Sequence, residues 1–348
     1  MKKRLLGGSA LVAATVLAAG SAVAAEPPTY KIGGNLTFQF LYESQDVPFG
    51  PNHGYYLAVN DPEIRFAASG VADNGLNYGF KVELNANTSD TTIADEVVAQ
   101  FGGTWGRLEL GDEDGAEDTM QLGAESVMGG SGGIDGSYGM VLFDWNNVRT
   151  APALVGDTSD ATKITYYSPN FSGLTAGVSL TPTQHDGQDV GAAGPWEDSI
   201  GLGVKYSAEH SGVSVAVSGV YVTASSTVVG INDVSSWSLG GTAGFGAVSF
   251  GASYTDSGSS LMVSGRNDSY WNAGVGYSAG PIYLSMGFAS YTHDWGGAEA
   301  TRDVFSLTGD YAVAPGLTTY ADVVVSSEDY LAQSNAASIL IVGAALTF

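Results

Sequence analysis

The sequence contains no cysteine, which removes disulfide scaffolds, thiolate metal sites and cysteine nucleophiles from consideration. Basic residues are scarce, with 12 Lys+Arg against 36 Asp+Glu. A field of that sign repels nucleic acid and attracts cations, so no nucleic-acid partner is expected. Beyond residue 25 no apolar run approaches the ~18–20 residues that a membrane helix needs. The four histidines, His53, His185, His210 and His293, read as loop or turn residues, and no HExxH or GxSxG pattern is present. The chain is therefore read as a non-enzyme.

What is present begins with a leader. Lys2, Lys3 and Arg4 precede the apolar stretch "LLGGSALVAATVLAAG", and "SAVAAE" supplies small residues for cleavage. That order specifies a signal peptide over residues 1–25, to be set aside before the fold is considered. Residues 26–348 keep nine of the twelve basic residues and all the acidic ones. At 44% hydrophobic and 11% aromatic the chain is too apolar to be disordered. Turn signals recur at short intervals with no linker among them, so residues 26–348 read as one β-domain.

The main signal is alternation with period two. In "YKIGGNLTFQFLYESQ", Ile32, Leu36, Phe38, Phe40 and Tyr42 share one face, while Lys31, Asn35, Thr37, Gln39 and Glu43 share the other. Leu41 is the exception. The same dyad recurs in "NYGFKVELNA", "SIGLGVKYS", "VSVAVSGVY" and "SYWNAGVGYS". About sixteen such segments, each near the ~9–11 residues of a tilted membrane strand, can be placed. They start near residues 30, 63, 76, 96, 107, 161, 173, 199, 212, 235, 247, 268, 281, 301, 317 and 337. Short turns such as "GTWG", "AEHSG" and "VAPG" alternate with long polar segments at 44–62, 111–160, 182–198, 255–267, 292–300 and 326–336. Exported strands that face lipid must close on themselves, because every backbone group there has to be paired. The expected fold is an all-β, 16-stranded antiparallel transmembrane β-barrel.

Several segments resemble the general porins of Gram-negative bacteria, with the similarity nearest the trimeric porins of alphaproteobacteria. They are "SGVADNGLNYGFKVELNA", "FGGTWGRLELGDEDGAED", "KITYYSPNFSGLTAGVSL" and the closing "ASILIVGAALTF". The resemblance implies a homotrimer in the bacterial outer membrane, in contact with lipid and lipopolysaccharide. It implies a water-filled channel for small polar solutes and ions, with a long third loop, 111–160, folded inward as a constriction. It also marks Phe348 as an assembly signal.

On that resemblance the acidic side of the constriction is Asp112, Glu113, Asp114, Glu117, Asp118, Glu125, Asp135 and Asp144. The basic wall facing it is Lys31, Arg65, Lys81 and Arg107; the first three could instead be solvated at strand ends or pair with Glu63 and Glu83. The charge balance makes the pore cation-preferring. No cofactor is expected, although the acidic loop residues could bind Ca²⁺ as a structural ion. "GGSGG" at 129–133 reads as flexible loop backbone. Two other readings stay open: a substrate-selective channel of the same fold, and a secreted soluble β-rich binding protein or adhesin.

Overall fold

In the computed structural model the described residues are 26–46, 54–88, 93–142, 154–185, 187, 194–294, 296–331 and 333–348. They form sixteen strands in one closed antiparallel barrel. The first eight are β1 (Glu26–Gln45), β2 (Tyr55–Val71), β3 (Asn77–Asn85), β4 (Ala94–Gly103), β5 (Gly106–Asp112), β6 (Thr162–Tyr167), β7 (Leu174–Thr183) and β8 (Trp196–His210). The second eight are β9 (Val213–Ser226), β10 (Val234–Phe245), β11 (Val248–Gly258), β12 (Asn267–Ala279), β13 (Ile282–Asp294), β14 (Glu299–Ala314), β15 (Leu317–Tyr330) and β16 (Gln333–Thr347). Each strand pairs with its sequence neighbours, and β1 closes the ring on β16 from Asn35 opposite Thr347 to Gln45 opposite Ala337. At the same seam Gly34 and Phe348 exchange backbone hydrogen bonds of 3.0 and 3.1 Å.

The outer face carries the apolar half of each dyad: Ile32, Phe38 and Tyr42 on β1, and Leu202, Val204 and Tyr206 on β8, are all exposed. No helix among the described residues is long and apolar enough to cross a membrane, which says nothing against crossing by strands. The strand starts lie within a few residues of those expected, with one exception. The residues Asn60-Asp61-Pro62 fall in the polar segment expected at 44–62, yet they lie inside β2 as a β-bulge. Asp61 takes a φ of 44°, and the register slips between Asn35 and Thr37 of β1. A bulge inserts one residue, so the outward parity changes from Tyr55, Leu57 and Val59 to Ile64.

Two of the long loops are also shorter than expected. The β13–β14 and β15–β16 connections reduce to residues 295–298 and 331–332. Strand ends that rise clear of lipid meet water on both faces, so the alternation that marks a strand fades there. His210 and His293 lie on strands for the same reason.

The described parts of the third loop, 113–142 and 154–161, pack against the inner wall. They contain the short helix α1 (Ala116–Thr119) and single 3-10 turns at Ala124–Val127, Gly133–Asp135 and Gly139–Val141. The outgoing leg follows the inner wall from β7 round to β1, with backbone hydrogen bonds at successive strands. Ala116 N–H donates to Ser179 Oγ of β7 at 2.7 Å, and Ala124 N–H to Asn272 Oδ1 of β12 at 2.8 Å. Gln39 and Gln45 of β1 then donate to the Ser137 and Val141 carbonyls at 3.3 and 2.9 Å. The returning leg lies on β10 and β11, where Ser236 Oγ donates to the Val155 carbonyl and Val155 N–H donates to Ser257 Oγ.

Inward glycines make room for this belt. A β-carbon at Gly201 would strike the Glu117 carboxylate, one at Gly240 the Leu122 carbonyl and one at Gly251 the Gly123 carbonyl. Further round, the inner wall is apolar. Leu41, Ile339, Ile341, Val324 and Val304 face inward and are fully or almost fully buried with Met128, Ile134 and Tyr138 of the loop. Leu41, the exception to the dyad on β1, belongs to this second core. Tyr138 donates to the Ile134 carbonyl at 2.8 Å, and burial pushes its phenol well above its ordinary range, so it remains a donor.

Candidate pore constriction

The wall from β2 to β5 is the arc on which the outgoing leg does not lie, and here the inner face is charged. Arg65 of β2 bridges Glu63 at 2.6 Å and Glu83 at 2.9 Å. Lys81 of β3 meets Glu83 at 3.3 Å, Glu96 of β4 at 2.5 Å and Glu113, the first residue of the third loop, at 2.5 Å. On β5, Arg107 pairs with Glu109 at 3.2 Å and lies over the Tyr167 ring, 4.6 Å from its centroid. Gln100 adds a hydrogen bond of 2.9 Å to Glu109. The side chains of Arg65 and Lys81 are each 26% exposed and that of Arg107 is 37% exposed. These heads therefore border space that water can enter.

The strand dyad places these groups together. Residues of one parity on β2–β5 share the inner face, and antiparallel register sets Arg65 opposite Glu83 and Glu83 opposite Glu96. Arg65 and Glu83, opposite charges in facing positions, stabilise the pairing of β2 and β3, whereas Glu83 and Glu96 are like charges bridged by the Lys81 ammonium that meets both. In this cluster five carboxylates surround three cations.

The expected acidic residues that the structure describes separate into four groups. Glu113 joins the cluster through Lys81. Asp112 accepts from Thr162 Oγ1 at 2.5 Å and from Gly187 N–H at 3.1 Å, which ties it to neighbouring backbone at the loop root. Glu117 and Glu125 are buried against the opposite wall, with Glu117 beside Gly201 and Glu125 accepting from Asn272 at 2.9 Å. Asp114, Asp118 and Asp135 are partly exposed on the loop, and Asp144 lies outside the described residues. Of the basic residues, Arg65, Lys81 and Arg107 gather as expected. Lys31 sits exposed on β1 opposite Ala67 and takes no part in these ion pairs.

An inward basic wall facing an acidic loop is therefore not what these side chains build. The cations are already met by carboxylates of the same wall, and two of the loop carboxylates turn away from it. Glu96 and Glu109 were not singled out from sequence, although their place beside Lys81 and Arg107 follows from strand parity once the register is known. Lys163 is a further omission. Its ammonium, buried on β6, donates to the carbonyls of Glu113 and Ser159, which stand at the two ends of the third loop. The carboxylates of Glu117, Asp114 and Asp160 surround it. Among the described residues no group of three or more His, Cys, Asp or Glu is arranged to hold a metal ion.

A model of the family described as Gram-negative porin matches residues 9–329. The chain belongs to the Gram-negative porin family. Solved structures similar to this porin include OmpT, an outer membrane protein of Vibrio cholerae, in its trimer form. It is 14% identical with a TM-score of 0.64, covering 93% of this chain and 100% of that one. An anion-selective porin from Comamonas acidovorans is 14% identical with a TM-score of 0.63, covering 92% and 100%. A mutant of Rh. blastica porin is 16% identical with a TM-score of 0.62, again covering 92% and 100%. At such identities the likeness is one of fold. Among relatives by sequence, an uncharacterized protein of Rickettsia conorii is 24% identical over 93% of this porin and 92% of its own length.

Proposed function

We propose that this porin is a cation-preferring channel through which small hydrophilic solutes and ions diffuse passively across the bacterial outer membrane. The observation that carries the preference is the charged arc of β2–β5, where Glu63, Glu83, Glu96, Glu109 and Glu113 outnumber Arg65, Lys81 and Arg107. Ions passing a fixed excess of negative charge at short range are sorted by sign. The acidic surplus of the whole chain acts in the same direction. Family membership and the closed barrel support the channel itself. The exposed apolar bands of β1 and β8 argue against a soluble secreted binding protein.

The working form is a homotrimer whose leader, residues 1–25, is removed on export. The trimer form of the Vibrio cholerae neighbour supports that assembly. The deciding experiment is planar-bilayer recording of the purified protein under a KCl gradient. A reversal potential of the sign expected for K⁺ supports the reading, and one of the sign expected for Cl⁻ overturns the cation preference.

A further inference from the structure

Lys205 of β8 stands apart from the other cations of the barrel. It is half-buried on the inner face, because Leu202, Val204 and Tyr206 hold the outward positions of that strand. Lys31 and Lys205 are the strand cations with neither a carboxylate nor a carbonyl partner among the described residues. Lys31 is exposed near the start of β1, where water serves in place of a partner. The half-buried ammonium of Lys205 has given up part of its water and has no anion in exchange. Glu209 lies four residues further along the same face, exposed and likewise without an ion pair among the described residues. Residues four apart on a strand are separated by ~13 Å, so these two charges do not meet directly.

Register sets three rows of inward residues across β8, β9 and β10. Lys205, Ser218 and Gly240 form the row beside the third loop, where a β-carbon at Gly240 would strike the Leu122 carbonyl. Ser207, Ala216 and Thr242 form the middle row, and Glu209, Ser214 and Gly244 the row nearest the β8–β9 turn. The lining of a cavity of about 350 Å³ includes Ser207, Glu209, Ser214, Ala216 and Thr242. Ser218 is only 8% exposed, yet its hydroxyl has no hydrogen-bond partner among the described residues. The hydroxyls of Ser207, Ser214 and Thr242 are unpartnered there as well. Buried polar groups are normally paired. Here an ammonium, a carboxylate and four hydroxyls converge on one open space with none of them engaged.

We propose that this cavity is a solute subsite for linear zwitterions, in which Lys205 takes a carboxylate, Glu209 takes an ammonium, and the hydroxyls and Ala216 flank the chain between them. A solute with one charge of each sign is neither repelled nor concentrated by the acidic field of the whole chain, so recognition of its two ends is what retains it. The inference rests on the channel reading for the solute's route to the site, but binding can be judged without conductance.

The absence of cysteine gives a direct readout. Ala216→Cys places a thiol in the cavity and leaves its charges and hydroxyls in place. Methyl methanethiosulfonate then labels the thiol on barrels selected as folded by heat-shifted electrophoretic mobility. ε-Aminocaproate should protect the thiol saturably. Caproate and hexylamine, each with one of the two charges, should need about 5-fold higher concentration, the change expected for one partly exposed ion pair. Lys205→Met and Glu209→Gln should each raise the half-protecting concentration of ε-aminocaproate by a similar factor, and the double variant should bring it to that of hexanol. Lys205→Gln serves if Lys205→Met does not fold. Ser218→Ala should raise it about 3-fold, through loss of one neutral hydrogen bond. Equal protection by all four compounds overturns the subsite, as does protection that both charge variants leave unchanged. Protection by caproate as strong as that by ε-aminocaproate marks a simple anion site at Lys205 and overturns the zwitterion assignment. A protein that shows the protection but passes no current overturns the channel reading and leaves the subsite standing, whereas a conducting channel without protection overturns the subsite alone.

Discussion

Two arcs of one inner wall solve different problems with the same dyad. From β7 round to β1 the inward positions are mostly Gly, Ser, Thr or aliphatic, and the third loop lies on them as a second layer. From β2 to β5 the inward positions carry Arg, Lys and Glu. The first arc is packed like a protein core and should answer to volume. The second borders water and should answer to charge. Strand parity alone cannot distinguish them, because both are simply the inner face.

The largest expected effect lies on the packed arc. Arg302 of β14 and Glu328 of β15 pair at 2.5 Å, and their side chains are 1% and 3% exposed. Arg302→Met would leave Glu328 buried without that partner and should destabilise the barrel by roughly 3–5 kcal/mol. The loss should appear as a lower temperature for disappearance of the folded electrophoretic band. Combining Arg302→Met with Glu328→Leu should recover most of it, and a double variant as weak as the single one would mean that packing, not the charge, is what Arg302 supplies.

Next in size is Gly240→Val, which drives a side chain into the Leu122 carbonyl. Overpacking of this kind costs about 1–3 kcal/mol. Folded yield and band stability should both fall, whereas Gly246→Val, at a turn where an added β-carbon meets nothing, should lose less despite its φ of 60°.

The charged arc should respond the other way, with small changes in stability and clear ones in selectivity. Lys81→Met frees Glu83, Glu96 and Glu113 and should move the reversal potential toward stronger cation preference, while Glu96→Gln should move it back. Equal shifts from both variants would mean that they act through loop position and not through charge. The smallest effect belongs to Arg107→Ala, a more exposed pair whose loss should change stability by roughly 0–1 kcal/mol.

The barrel itself was readable because lipid imposes a strict rule: one face apolar, the other not, at period two. That rule located sixteen strands and failed where lipid stops acting, at the tall ends of β13 to β16 and at the Asp61 bulge. The constriction was less legible. Parity identified Lys31, Arg65, Lys81 and Arg107 as inward, but which of them cluster and with what partners depends on cross-strand register, which no single segment encodes. The destination of Glu117 and Glu125 depends on a loop path along glycines contributed by many strands. Leu41 carried a hint, since an apolar residue on a wet face signals something packed over it.

The closing seam has a consequence for how the molecule is made. Neighbouring strands elsewhere pair across turns or loops that are mostly short, but β1 finds its second partner in β16, after fifteen other strands have been laid down. Contacts so distant in sequence form late and slowly, since loop-closure entropy opposes them until much else is in place. Until then two unpaired edges stay exposed and open to pairing with another chain. The interval before closure is thus when this chain is most prone to aggregate, and a catalyst of outer-membrane assembly would do most good by shielding β1 until β16 arrives.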